Sequence, residues 1–173
     1  MKKLTIFVCA HKEDSFTRND EIYKAIQAGK SLHPDLDLGI QPDNSGDNIS
    51  EKNPFWSEYT VLYWGWKNAN NASYLGLNHY RRYFNYDFEK CDLDKLFSKY
   101  DIILAKKNKM LSKSYRPIHL MQMTSMEDYY IFMDTLMRLY PQYKQKIIDY
   151  FYDSRDSVPY SMFVASKSVF NQY

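Results

Sequence analysis

Leu4 to Ala10 reads Leu-Thr-Ile-Phe-Val-Cys-Ala, an uncharged and mostly apolar run rich in β-forming side chains that stops at His11-Lys12. Its composition and length predict a buried strand at the start of the chain. The run is too short for the core of a signal peptide and far too short to span a bilayer, and no later segment is long enough either. A cytosolic protein is expected, with at most peripheral contact with a membrane. Any fold must therefore wrap other elements around this strand.

Those elements alternate. A polar loop, 11–19, leads to a weakly helical stretch, 20–32. Residues 33–50 are dense in Pro, Asp, Asn, Gly and Ser and predict a loop. Asn53-Pro54 predicts a helix start, with Asn as N-cap and Pro in the first turn, running to about Asn68. Strands are predicted at 74–77, 101–105 and 162–166. Helices are predicted at 93–99, from Thr124-Ser125 to Tyr140, at 143–152, and from Lys167 onward. This alternation predicts an α/β sandwich with a mainly parallel central sheet. The 173 residues suit one domain.

In such sheets ligands bind beyond the carboxyl ends of the strands. Three predicted strand ends are basic: His11-Lys12, His79 to Phe84, and a loop carrying Lys106, Lys107, Lys109, Lys113 and Arg116. Between Asp101 and Glu127 no acidic residue intervenes. Three cationic loops on one rim imply an anionic ligand. The whole chain carries only +2, too balanced for a protein whose main partner is nucleic acid. Cys9 and Cys91 have neither metal-ligand nor disulfide-framework spacing. Seventeen tyrosines suit a wet groove for a polar ligand such as a sugar, and equally suit a biased codon pool.

Within His79-Tyr80-Arg81-Arg82-Tyr83-Phe84 the arginines offer planar forks that match phosphate oxygens, and the tyrosines offer stacking faces. An extended backbone would put His79, Arg81 and Tyr83 on one face and Tyr80, Arg82 and Phe84 on the other. The alternative is a surface segment whose arginines pair with Asp87 or Glu89. The turn-forming stretch from Asp43 to Ser50 offers Asp47 and Asn48 to a base or ribose, or is merely a solvated turn. Asp128 suits a general base, but Thr124-x-x-Glu127 and Ser125-x-x-Asp128 are also capping-box spacings. His11 and His119 are lone histidines, and Lys12 suits phosphate. Asp92-Leu93-Asp94 reads as a helix start rather than a metal-ligand pair. There is no glycine-rich phosphate loop and no nucleophile elbow.

Longer motifs carry a resemblance. Gly46-Asp47-Asn48-Ile49-Ser50, Lys52-Asn53, Glu58, Leu62-Tyr63-Trp64, Trp66-Lys67-Asn68 and His79 to Phe84 resemble the DUF4422 family of bacterial capsular and exopolysaccharide glycosyltransferases. So do Ile6-Phe7-Val8, Ala10-His11-Lys12, Ile26-Gln27-x-Gly29, Tyr100 to Leu104, Tyr140-Pro141-x-Tyr143 and Met162-Phe163. Ser161 stands where the family often has Asn. The resemblance implies a GT-A-like (Rossmann-like) fold that moves a sugar from a nucleotide-diphosphate donor to a growing glycan or lipid-linked acceptor. It also implies longer proteins, so that this chain would lack the family's C-terminal part.

In metal-dependent GT-A enzymes an Asp-x-Asp follows the second central strand; here His79-Tyr80-Arg81 takes that place. The expectation is therefore a metal-independent glycosyltransferase with no cofactor. His11, Lys12, Asp47, Asn48, His79, Tyr80, Arg81 and Arg82 would bind the donor, with Arg81 also catalytic and Asp128 as base. The alternative is a non-catalytic nucleotide- or glycan-binding module.

Overall fold

The computed structural model of the chain describes residues 3–69, 71–112, 125–158 and 160–172. The chain separates into two compact units, Met1–Ala105 with Tyr160–Tyr173, and Lys106–Pro159.

The first unit is built on β1 (Leu4–Ala10), β2 (Tyr23–Gln27), β3 (Gln41–Pro42), β4 (Tyr74–His79), β5 (Ile102–Leu104) and β8 (Phe163–Ser166). They form one sheet in the order β3-β2-β1-β4-β8-β5. The pairings β3–β2, β2–β1 and β1–β4 are parallel. β8 runs antiparallel between β4 and β5, so β5 points the same way as β4. The sheet is mixed and mostly parallel, as the alternation predicted.

Every residue of β1 is buried because both faces of the sheet are covered. Phe7 and Cys9 pack with Val61, Leu62 and Trp64 of α2 (Tyr59–Asn68) and Phe170 of the last helix, α6 (Lys167–Phe170). Ile6, Val8 and Ala10 pack on the other side with Tyr23, Tyr80, Phe88 and Leu93 of α3 (Leu93–Phe97). Gly65 brings α2 against the sheet, since a Cβ there would fall inside the Phe7 ring.

Two local predictions are corrected. The helical stretch at 20–32 is instead β2 followed by a 3-10 turn at Lys30–Leu32. Asp20 does accept N–H bonds from Ile22 and Tyr23, but these form a turn rather than a helix cap. The strand then gains its hydrogen bonds from β1, and pairing overrides the helical propensity of Lys24, Ala25 and Gln27. The helix begun at Asn53 is broken into α1 (Asn53–Trp56) and α2, because Ser57 adopts φ 45°, ψ −126°.

The second unit holds α4 (Met126–Leu139), α5 (Lys144–Ile148) and a two-stranded ribbon of β6 (Asn108–Lys109) and β7 (Asp156–Ser157). Its core gathers Tyr129, Met133 and Ile147. No helix among the described residues is long and apolar enough to cross a membrane.

Candidate functional site

Strand order reverses between β1 and β4: the chain runs β1-β2-β3 to one side and then returns to β4 on the other. That switch point is where an open α/β sheet forms a crevice at its carboxyl rim. Cys9 pairs in register with His79, so His11-Lys12 and His79 to Arg82 emerge side by side. β5 also ends on this rim, at Leu104.

The His79 to Phe84 run is not an extended segment. The His79 carbonyl accepts the Arg82 N–H at 3.0 Å, which closes a tight turn. The Asn78 amide locks it by donating to the Arg82 carbonyl. The expected two-face alternation is therefore replaced. Tyr80 turns inward and is 1% exposed, while Arg81 and Arg82 project outward. The Tyr80 ring meets the His11 ring edge-on at 5.1 Å and lies 4.4 Å from the His79 ring. The Arg81 guanidinium sits 4.9 Å above Tyr80, and that of Arg82 sits 4.1 Å above Tyr160. Tyr83 donates to the Tyr80 carbonyl and accepts the Arg18 N–H, which ties the turn to the loop after β1.

Asp87 pairs with Lys90, and neither Arg81 nor Arg82 forms an ion pair among the described residues. The pairing of these arginines with Asp87 or Glu89 is thus not formed among the described residues. Two arginine forks remain directed at solvent beside Lys12. Desolvation, helped by the charges of Lys12 and Arg81, lowers the pKa of His11. Desolvation and the charges of Arg82 and Arg81 lower that of His79, against an opposing pull from Glu58. Both imidazoles are thus favoured in the neutral form, and the permanent positive charge resides on Lys12, Arg81 and Arg82.

The loop after β3 is built rather than merely solvated. Asp43 is fully buried. Its carboxyl accepts from the Gly29 and Lys30 N–H groups and from the Ser50 and Thr60 hydroxyls. Asn53 donates to Thr60 Oγ1 and to the Ser57 carbonyl. The cluster therefore fixes the α1–α2 break and the residue after it, Glu58. Asn48 spends its amide on its own loop, at Asn44 and Gly46. Asp47 is held through its backbone by Asn68 and accepts the Tyr63 hydroxyl.

Asp128 belongs to the second unit. It accepts from the Ser125 hydroxyl and N–H, while its own N–H donates to Ser125 Oγ. That is the full capping box. In the same unit Lys107 and Lys109 pair with Asp156, so the basic loop is partly neutralised by an acid far along the chain. Lys113, Arg116 and His119 lie outside the described residues.

The carboxylates of Asp92-Leu93-Asp94 are both engaged in local contacts. Asp92 caps α3 by accepting the Lys95 N–H. Asp94 is taken by Lys3 at 3.0 Å and by the Tyr74 hydroxyl. Among the described residues no group of three or more His, Cys, Asp or Glu is gathered for a metal.

One residue of the rim went unassigned in the sequence. Glu58 shares a cavity of about 60 Å³ with Leu77, Asn78, His79, Tyr160, Ser161 and Met162. Its signal was present, since Glu58 stands in a matched motif, but helix-start residues commonly carry an acid for the dipole alone. A larger cavity of about 730 Å³ lies along α2 between Phe55, Trp56, Tyr59, Trp66 and Phe170. It carries no cation and does not suit a diphosphate.

Mostly parallel sheet, topological switch point and cationic turn together define an α/β protein with a basic carboxyl rim. The chain belongs to the DUF4422 family, described as a domain of unknown function, whose model matches residues 5–173. Its structure is similar to the apo structure of the bifunctional glycosyltransferase WbbM, with TM-score 0.80 and 29% identity over 99% of this chain. The chain spans 35% of that longer protein. No curated protein sequence matches.

Proposed function

We propose that this chain transfers a sugar from a nucleotide-diphosphate donor to a growing capsular or exopolysaccharide glycan, or to a lipid-linked one, without a divalent metal. The observation that carries this reading is the turn at the switch point. Arg81 and Arg82 project from it without an ion pair among the described residues, next to Lys12. Two guanidinium forks and an ammonium suit a diphosphate whose negative charge grows as the sugar leaves. Arg81 acts in catalysis as well as in binding, because the leaving group gains charge in the transition state.

Tyr80 is the buried floor that keeps His11, His79 and Arg81 in register. The two imidazoles are near-neutral donors for phosphate oxygens, and each gains a proton more readily once an anion binds. Asp47 and Asn48, on the loop after β3 at the same rim, position the nucleoside. Similarity to WbbM supports donor and acceptor substrates of the glycosyltransferase kind.

Calorimetric titration with UDP and GDP in the presence of EDTA tests the binding half. Binding that persists in EDTA is expected. Binding that disappears in EDTA and returns with Mn²⁺ refutes metal independence. Binding of neither nucleotide refutes the donor site itself.

A further inference from the structure

We infer that Glu58 is the general base that deprotonates the acceptor hydroxyl. This assignment rests on the sugar-transfer reading above. Four observations meet at this residue.

First, Glu58 is half-buried at the N-cap of α2, yet its side chain makes no capping hydrogen bond. Among the described residues its carboxylate has no hydrogen-bond or ion-pair partner. A carboxylate that the fold leaves uncommitted beside a cavity is available to a ligand that enters it. Second, it opens onto the 60 Å³ cavity beside His79. That space holds about two waters, or a single hydroxyl-bearing carbon.

Third, Asn78 lines the same cavity, is 1% exposed, and its Oδ1 is buried without a partner. Its amide nitrogen is committed to the Arg82 carbonyl. The unmet acceptor suits a hydroxyl donor. Fourth, Ser57 (φ 45°) and Tyr160 (φ 64°) are the non-glycine residues with positive φ among those described. One immediately precedes Glu58 and the other lines the cavity. Such conformations cost of order 1–3 kcal/mol and concentrate where a site over-determines the backbone.

The chemistry closes around this arrangement. The acceptor hydroxyl gives its proton to a Glu58 oxygen as its own oxygen bonds to the anomeric carbon. The bond from that carbon to the diphosphate breaks, and its electron pair leaves on the diphosphate, facing Arg81 and Arg82. The proton then passes from Glu58 to water. Asp128, by contrast, has one carboxylate oxygen held in the helix cap of the second unit.

The test uses the full chain and a panel of UDP-, GDP- and dTDP-hexoses, with nucleotide release as the readout and water or a glycan mixture as acceptor. Glu58→Gln should lower kcat about 100-fold or more, while the Kd for UDP or GDP stays within about threefold. Glu58→Ala should regain activity with added formate, which a merely structural role would not allow. Transfer by Glu58→Gln within about threefold of wild type overturns the assignment. A wild-type protein that binds UDP or GDP but turns over none of the panel overturns the base and leaves the donor site standing. One that binds neither nucleotide overturns both.

Discussion

Asp43→Asn is close to isosteric, so its effect isolates hydrogen bonding. In the native cluster one carboxyl oxygen accepts from the Lys30 N–H and the Ser50 hydroxyl, and the other from the Gly29 N–H and the Thr60 hydroxyl. An amide keeps one accepting oxygen and presents two donors on its other side. The hydroxyls can rotate to accept, but a backbone N–H cannot. Whichever way the amide turns, one main-chain donor is orphaned in a site with no solvent access. That costs about 1–3 kcal/mol, and a further contribution is lost as charge-assisted bonds become neutral, giving about 2–4 kcal/mol in all. For a chain of this size the melting temperature should fall by about 5–15 °C. Thermal and urea unfolding followed by circular dichroism measure it. Ser50→Ala leaves the Gly29 and Lys30 donors on Asp43 and frees only the Ser31 N–H, on an exposed residue that water can reach, so it should cost only about 1 kcal/mol. If Asp43→Asn costs no more than Ser50→Ala, the cluster is not what holds the α1–α2 break.

Arg81→Ala should weaken UDP or GDP binding roughly 10- to 100-fold and leave the melting temperature almost unchanged, because the side chain is exposed; calorimetry and a melt on the same sample decide it, and unfolding instead would return Arg81 to a structural role. Both histidine pKa values lie below the ordinary value near 6.5. The unfolded chain therefore binds protons first as pH falls, and stability present above about pH 6.5 is lost toward the folded-state values. Urea midpoints at pH 7.5 and 5.5 should show this loss, and His79→Gln should reduce it. Gly65→Ala drives a methyl into the Phe7 ring and should cost about 1–3 kcal/mol by chemical unfolding; an unchanged midpoint would mean that α2 can move away from the sheet.

What the sequence revealed was local. β1 and β4 show as apolar runs, the Ser125 capping box as a spacing, and the Asp92 helix start as a cap. Each signal lies within the residues it describes. β2 stayed hidden because Lys24, Ala25 and Gln27 favour a helix until β1 supplies a partner. The partial neutralisation of the basic loop stayed hidden because Asp156 lies 47 positions from Lys109. The cationic turn was visible as composition but not as shape. Its alternation depended on an extended backbone, and the Asn78 bond to the Arg82 carbonyl removes that.

Glu58 stands in a matched motif, but its place beside the cavity was not legible there. Its position follows from three segments that meet only in the fold. Gly29, at φ 68°, turns the chain after β2 so that its N–H reaches Asp43. Asp43, at the end of β3, reaches across to Thr60 in the first turn of α2. Asn53 then holds Thr60 and Ser57 together. A residue larger than glycine at 29 would strain the turn and bring its Cβ within 2.9 Å of the Asn53 amide oxygen. Glu58 is therefore aimed by a buried network anchored at the sheet edge, while Arg81 and Arg82 are aimed by a turn locked at its centre. Acid and cations come from separate supports, so changes to the Asp43 cluster should disturb transfer and the nucleoside contacts of the Asp47-Asn48 loop while sparing the diphosphate contacts, whereas changes to Tyr80 or Asn78 should disturb transfer and the diphosphate contacts together.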